Sequence, residues 1–441
     1  MDVLVRVEKE QAYSNLLLNQ MLQSSELTRS DAGLATELVY GTIQRLNTLD
    51  YFMNKFLSKG IHKLEPWVRS LLRLSFYQLI YLDRIPEHAI VNEAVTIAGR
   101  RGHKGISGLV NGVLRAALRR SDELQLPAGM PHLQEISLRH SHPEWLVKRW
   151  TAQFGEETAS RICEANNVPP HTSLRMNRLK TSTQALLELL TEQGYTARLS
   201  ELAPDGIVVN GGGNMALSPG YEEGLYSIQD ESSMLVAEML SPLTGMTVLD
   251  CCAAPGGKTA HIAEKMGDQG HIHAFDIHPH KRKLIDAQVQ RLGIHSVSTD
   301  IADAAHLAER FPPSTFDRIL LDAPCSGLGV IRRKPDLKWV KSPQDITEIS
   351  HVQDRLLQAV SGLLKPDGIL IYSTCTLESN ENEKAVERFL NNRPEFSLDQ
   401  AAAARLPHLR DRFILPGMLQ ILPHQYGSDG FFIAALRKQA F

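Results

Sequence analysis

From about Glu231 onward the chain alternates apolar runs of strand length with helix-length segments, and this alternation restricts the possible folds more than any other feature. Thr247 to Asp250 reads as a strand, followed by a Gly-rich turn and a helix to about Met266. His271 to Phe275 is the next strand and Pro279 to Leu292 the next helix. Ser296 to Thr299 is a weak third strand. Phe316 to Leu321 and Gly368 to Tyr372 follow as runs apolar enough for buried parallel strands, and Gly430 to Leu436 is the closing strand. Repeated βα units with right-handed crossovers make a doubly wound parallel sheet. Such sheets bind ligands in the crevice outside the carboxyl ends of their strands, so residues just past each strand are the candidates for function.

Two of these strands end in cysteine. Asp322-Ala323-Pro324-Cys325-Ser326-Gly327 follows one and Ser373-Thr374-Cys375 ends the other, so two thiols and a carboxylate should converge. A lone cysteine at a strand end is usually a small buried hydrophobe. Two beside Asp322 suit covalent chemistry instead. Cytosine C5 is a poor nucleophile, and a thiolate added at C6 turns the ring into an enamine-like donor able to attack a methyl sulfonium. One cysteine then serves as nucleophile with a lowered pKa, and a second can assist elimination. Asp322 would stabilise the attacked base by hydrogen bonding. Chemistry alone leaves open which cysteine attacks.

The turn Asp250-Cys251-Cys252-Ala253-Ala254-Pro255-Gly256-Gly257-Lys258-Thr259 leaves a strand and enters a helix. Small residues let a ligand approach the backbone, and the helix start offers unpaired N–H groups. It lacks the Gly-x-Gly-x-x-Gly of dinucleotide sites and the first glycine of a phosphate loop. Asp276, 20 residues past Gly256, ends the next strand, where a carboxylate can accept both hydroxyls of a ribose. Asp303 follows the third strand, within reach of an adenine amine. A ribose and adenine without pyrophosphate describe S-adenosylmethionine.

At 441 residues, 43% hydrophobic and 22% charged, the chain is long enough for two or three domains of ordinary globular composition. Residues 1–125 read as all-helical, 126–140 as a linker rich in Pro and Gly, 141–235 as a small α+β segment, and 236–441 as the α/β domain. In the middle segment a strand from Gly206 to Val209 ends at the turn Gly211-Gly212-Gly213. Residues 1–120 hold 16 Lys/Arg against 11 Asp/Glu, net +5, which leaves −8 for the rest. Arg100, Arg101, Lys104, Arg115, Arg119 and Arg120 cluster late in the helical part; charge alone fits a polyanion's footprint and a solvated helical surface equally. Five cysteines without a Cys-x-x-Cys pair argue against a disulfide framework or zinc cage and fit a reducing cytoplasm. No run is long enough to span a membrane and no secretory signal is visible. His271, His273, His278 and His280 have no acidic or thiol companion, so no metal is expected.

Together these residues resemble the RNA cytosine-5 methyltransferases of the Nol1/Nop2/Sun type, which pair Asp-Ala-Pro-Cys-Ser-Gly with Thr-Cys. The front of the chain is similar to NusB-type RNA-binding domains, notably at Glu37-Leu38-Val39-Tyr40-Gly41 and Leu109-Val110-Asn111-Gly112-Val113-Leu114-Arg115. Leu174-Arg175-Met176-Asn177 and Gln229-Asp230-Glu231-Ser232-Ser233 look like that family's middle segment. The resemblance implies an all-α NusB-like domain, an RRM-like α+β segment and a Rossmann-like class I methyltransferase domain. It makes Cys375 the nucleophile and gives Cys325 the breakdown of the adduct. It also assigns Cys252, Ala253, Ala254, Pro255, Gly256, Gly257, Lys258, Asp276, Asp303 and Asp322 to S-adenosylmethionine, with Asp303 preferred to Asp300. DNA cytosine-5 enzymes would instead attack with the Pro-Cys cysteine, here Cys325, but their Glu-Asn-Val is missing.

The implied substrate is a cytosine of 16S (small-subunit) ribosomal RNA, splayed out of its stack in a loop or exposed single strand. The implied protein is cytoplasmic and monomeric. Transfer RNA as substrate, or a non-catalytic assembly role, are the alternatives. Ile331-Arg332-Arg333-Lys334-Pro335-Asp336-Leu337-Lys338-Trp339, just past the Cys325 loop, is expected to grip phosphates rather than form a solvated loop, with Trp339 either stacking on a base or packing.

Overall fold

A computed structural model describes residues 1–10, 13–211 and 213–440. Gly212 of the expected glycine turn lies outside the described residues. The chain forms two compact units: Met1–Val168 with Ile331–Val340, and Pro169–Val330 with the residues from Lys341 on.

The described part of the first unit is helical. Helices Leu46–Asn54, Pro66–Tyr81 and Lys104–Arg119 turn Leu49, Met53, Leu72, Phe76, Val110 and Leu114 into one core. Pro66 suits a first helical turn, where no intrahelical N–H is needed. The expected linker is only partly irregular, because His132–Arg139 is a helix that buries Ile136 and Leu138. The unit also runs past the boundary read at residue 141. Helices Glu144–Phe154 and Glu156–Ala165 belong to it, with Leu146, Val147, Trp150 and Ile162 fully buried.

The segment expected to grip phosphates behaves differently. Ile331–Val340 leaves the second unit's chain run and packs within the first. Lys338 is fully buried, and its Nζ donates to the Gln44 carbonyl at 3.0 Å. Trp339 donates from Nε1 to the Ile43 carbonyl at 2.7 Å, and Arg332 reaches the Val168 carbonyl at 3.3 Å. Among the four basic residues, Lys334 is the exposed one. Sequence position beside a cleft did not disclose that these apolar stems and donors satisfy a protein interior.

The second unit holds two sheets. Strands β1 (Thr172–Met176), β2 (Thr196–Leu199), β3 (Gly206–Asn210) and β4 (Tyr226–Ile228) form an antiparallel sheet in the order β2-β3-β1-β4. Helix Thr183–Glu192 covers it with Leu186 and Leu190, packed on Leu174, Ile207 and Val209.

The larger sheet contains β5 (Thr247–Asp250), β6 (His271–Asp276), β7 (Val297–Ile301), β8 (Phe316–Asp322) and β9 (Leu364–Thr374), all parallel in the order β7-β6-β5-β8-β9. Four more strands follow, β10 (Phe396–Leu398), β11 (Phe413–Leu415), β12 (Met418–Ile421) and β13 (Phe431–Lys438). β13 runs antiparallel to β9, so the closing strand departs from the parallel direction expected of the rest. Sequence order reverses between β5 and β8, so the crevice beyond those two strand ends is the topological switch point.

Arg175 of β1 crosses from the small sheet to the helix Gly257–Lys265. Its guanidinium pairs with both Glu264 oxygens at 2.7 and 3.2 Å and donates to the Gly257 carbonyl at 2.6 Å. Both side chains of the pair are wholly buried. Removing one partner of such a pair strands the other charge. Glu264→Ala is therefore expected to destabilise the protein by about 3–5 kcal/mol, read as a lowered denaturant midpoint in far-UV circular dichroism.

Candidate active site

β8 and β9 pair in parallel with Asp322 opposite Ser373, so their following loops leave the sheet side by side. The Ala323 N–H donates to the Ser373 carbonyl at 2.9 Å. Beyond it the two loops meet residue for residue. Cys325 Sγ lies 3.3 Å from Cys375 Sγ, and the hydroxyls of Ser326 and Thr376 lie 2.8 Å apart. The Gly329 N–H donates to the Cys375 carbonyl at 2.9 Å. A Cβ on Gly329 would stand 2.0 Å from the Gly430 carbonyl oxygen, so this close approach requires glycine.

Asp322 is held on both oxygens. Lys258 Nζ lies 2.6 Å from Oδ2, and the Ser373 hydroxyl donates to Oδ1 at 2.7 Å. Burial opposes charge on the Lys258 ammonium, but Asp322 outweighs it and raises Lys258 above its ordinary value. The two thiols are made unequal. The hydrogen bond from Cys325 holds Cys375 below the ordinary thiol range, against burial and with help from the nearby Lys258. The same hydrogen bond, reinforced by burial, pushes Cys325 well up. The arrangement offers one readily ionised sulfur and one retained S–H beside a carboxylate.

The Gly-rich turn lies across the switch point. The Ala253 N–H donates to the Phe275 carbonyl at 2.8 Å, which draws the turn onto β6. Gly256 has φ of +102°, and a Cβ there would stand 3.1 Å from the Ile285 Cα. A cavity of about 300 Å3 opens beside the turn, lined by Cys252, Ala254, Asp276, Lys281, Asp303 and Asp322 among others. A smaller cavity of about 150 Å3 shares Cys252, Ala254 and Asp322 and adds Ala253, Pro255, Gly257 and Lys258. Asp300 points elsewhere: it is exposed, and Arg310 donates to its Oδ2 at 2.7 Å. Of the residues singled out in the sequence, Gly256, Cys325 and Cys375 line neither cavity; Pro324, just before Cys325, lines the larger.

Sequence reasoning missed Asp250, Gln229 and Ser233, which line the smaller cavity. Asp250 is wholly buried, and burial pushes its carboxyl up to about 7, against the 2.6 Å hydrogen bond from Thr259. Its Oδ1 has no hydrogen-bond partner. The signal was available, since Asp250 is the last residue of the first strand before the turn. Away from the cleft, Asp205, Glu238 and His261 could reach a common ion, but Lys265 and Arg178 already pair with their carboxylates.

Three family models match successive parts of the chain. They are the NusB family over residues 1–119, an RsmF/B-like ferredoxin-like domain over 142–216, and 16S rRNA methyltransferase RsmB/F over 237–437. The probable ribosomal RNA small subunit methyltransferase B of Bacillus subtilis (strain 168) is 45% identical over 439 residues, covering 100% of this chain and 98% of its own. The chain belongs to the RsmB/F family. A second relative, the probable ribosomal RNA small subunit methyltransferase B of Synechocystis sp. (strain ATCC 27184 / PCC 6803 / Kazusa), is 37% identical over 99% of this chain and 98% of its own. The crystal structure of PH0851 superposes with a TM-score of 0.82 at 28% identity, over 99% of this chain and 97% of that one.

In this RsmB/F-family methyltransferase the inequality of the thiols has a direct reading. Cys375 should react with iodoacetamide at a lower pH than an ordinary thiol, its rate rising as pH passes through its pKa. Cys325→Ala removes the S–H donor, so that rise should move to higher pH. Peptide mass spectrometry of alkylated Cys375 across pH measures both.

Proposed function

We propose that this enzyme transfers a methyl group from S-adenosylmethionine to C5 of one cytosine in 16S ribosomal RNA, through a covalent bond between Cys375 Sγ and C6. The Cys325–Cys375 pair at 3.3 Å beside Asp322 carries the reading. Cys375, whose ionisation is eased by the hydrogen bond from Cys325, adds to C6 while Asp322 faces the N3 and amine edge of the base. C5 would take the methyl group from the sulfonium, releasing S-adenosylhomocysteine, and then lose its proton to Cys325 or an activated water as the Cys375–C6 bond breaks and its electron pair returns to sulfur. Cys325 assists that release.

Bound S-adenosylmethionine supplies an electrophilic methyl on a sulfonium. The residues present fit it. Asp276 would accept the ribose hydroxyls and Asp303 would face the adenine. Asp250, whose Oδ1 has no hydrogen-bond partner, would meet the amino group beside the backbone from Cys252 to Lys258. The exposed Arg100, Lys104, Arg115 and Arg119 on helices Glu87–Arg101 and Lys104–Arg119 give the RNA a basic surface. The helical unit Met1–Val168 would bind RNA, the small antiparallel sheet would support the Gly-rich turn, and the parallel sheet would carry the chemistry. Five free cysteines agree with a reducing cytoplasm, and the enzyme is read as a monomer.

With labelled S-adenosylmethionine and unmodified 16S RNA, Cys375→Ala should abolish methyl transfer and leave cofactor binding intact. Cys325→Ala should accumulate a covalent protein–RNA adduct that survives denaturing electrophoresis. Label found on transfer RNA alone would keep the chemistry and replace the substrate. Asp276→Ala should weaken S-adenosylmethionine binding by about 1.5–3 kcal/mol, or tenfold to a hundredfold, by titration.

A further inference from the structure

The eight residues after Thr374 return beneath both cysteine loops. Glu381, fully buried, accepts at Oε2 from the Ser326 N–H at 2.8 Å and from Gln353 Nε2 at 3.0 Å. Gln353, on the helix Pro343–Ser361, also donates from Nε2 to the Pro324 carbonyl at 2.9 Å. Pro324 and Ser326 are the two neighbours of Cys325. The next residue, Asn382, does the same for the other cysteine. Its Oδ1 accepts from the Thr374 hydroxyl at 2.5 Å, and its Nδ2 donates to the Thr376 carbonyl at 3.0 Å. Thr374 and Thr376 are the two neighbours of Cys375.

Packing alone does not call for a carboxyl here. Glu381 is desolvated and its Oε1 has no hydrogen-bond partner, a cost that an apolar residue of similar size would avoid. Burial accordingly raises its carboxyl above the ordinary range. The Tyr372 hydroxyl on β9 donates to the Glu381 carbonyl at 2.6 Å and so fixes the clamp to the sheet.

We propose that Glu381 and Asn382 are positioning residues that hold the two cysteines separately, Glu381 through the residues flanking Cys325 and Asn382 through those flanking Cys375. The inference rests on the covalent reading above, and it divides the reaction between adjacent residues. Displacing Cys325 should stall release of the base. Displacing Cys375 should stall its capture.

The test uses the full chain with unmodified 16S RNA and labelled S-adenosylmethionine, with Cys325→Ala as the trapping control. Glu381→Ala is expected to accumulate adduct at least tenfold above wild type, with S-adenosylmethionine affinity within threefold. Glu381→Gln keeps an acceptor for the Ser326 N–H and should turn over without trapping. Asn382→Ala should lose methyl transfer at least tenfold and trap nothing.

A purely structural role would instead lower adduct, turnover and cofactor binding together. If Cys325→Ala traps while a cofactor-binding Glu381→Ala turns over freely, the inference fails and the covalent reading stands. A trapped Glu381→Gln, or Glu381→Ala and Asn382→Ala behaving alike, also overturns it. If Cys325→Ala itself traps nothing, the covalent reading fails first. Should Glu381→Ala not fold, Gln353→Ala removes one arm of the clamp. Adduct above wild type then supports the proposal, and wild-type turnover refutes it.

Discussion

The pairing of β8 with β9 is the constraint on which the site depends. Parallel strands in register, with Asp322 opposite Ser373, release their loops at the same height. Sulfur then meets sulfur and hydroxyl meets hydroxyl one residue later. A slip of one residue would turn every side chain of one strand to the other face. Both faces of these strands are buried, Leu320 and Ile371 in one apolar cluster and Ile319, Leu321, Leu370 and Tyr372 in another, so a slip would exchange side chains between two differently packed cores.

The same packing makes the chemistry electrostatically possible. A thiol pair in water would share its ionisation nearly evenly, whereas here the S–H bond from one sulfur stabilises the other as thiolate. The Lys258–Asp322 pair places a cation near Cys375 while fixing the carboxylate that would meet the base. Many polar groups are buried in this region and hydrogen-bond one another, which fixes their geometry. Atoms without a hydrogen-bond partner here include Asp250 Oδ1, in the smaller cavity beside the Gly-rich turn, and Glu381 Oε1 and Gln353 Oε1, under the Cys325 loop.

The Gly-rich turn is supported from outside the larger sheet. Arg175, from the small antiparallel sheet, holds the Gly257 carbonyl and Glu264 at once. Gln229, between the two sheets in sequence, accepts from the same guanidinium and lines the smaller cavity. The small sheet thus acts as a brace for the turn, which gives a physical reason for Leu174-Arg175-Met176-Asn177 and Gln229-Asp230-Glu231 to be recognisable runs.

The α/β alternation, the strands β5 to β9 with the closing strand, and the placing of Asp322, Cys325 and Cys375 at strand ends are legible in the chain, because strand periodicity and short turns are local properties. The sequence also placed Asp276 and Asp303 at strand ends, where both line the cavity. Packing settled what lies between distant segments, and it set the closing strand antiparallel to β9. It sent Lys338 and Trp339 into a helical interior instead of toward RNA, since burial of long side chains depends on which surface they meet. It separated Asp303 from Asp300 by partner and exposure, and brought Glu381, Gln353 and Asn382 under the two cysteines. Those contacts span up to 55 residues of chain, and no local pattern of hydrophobicity encodes which buried polar group will meet which.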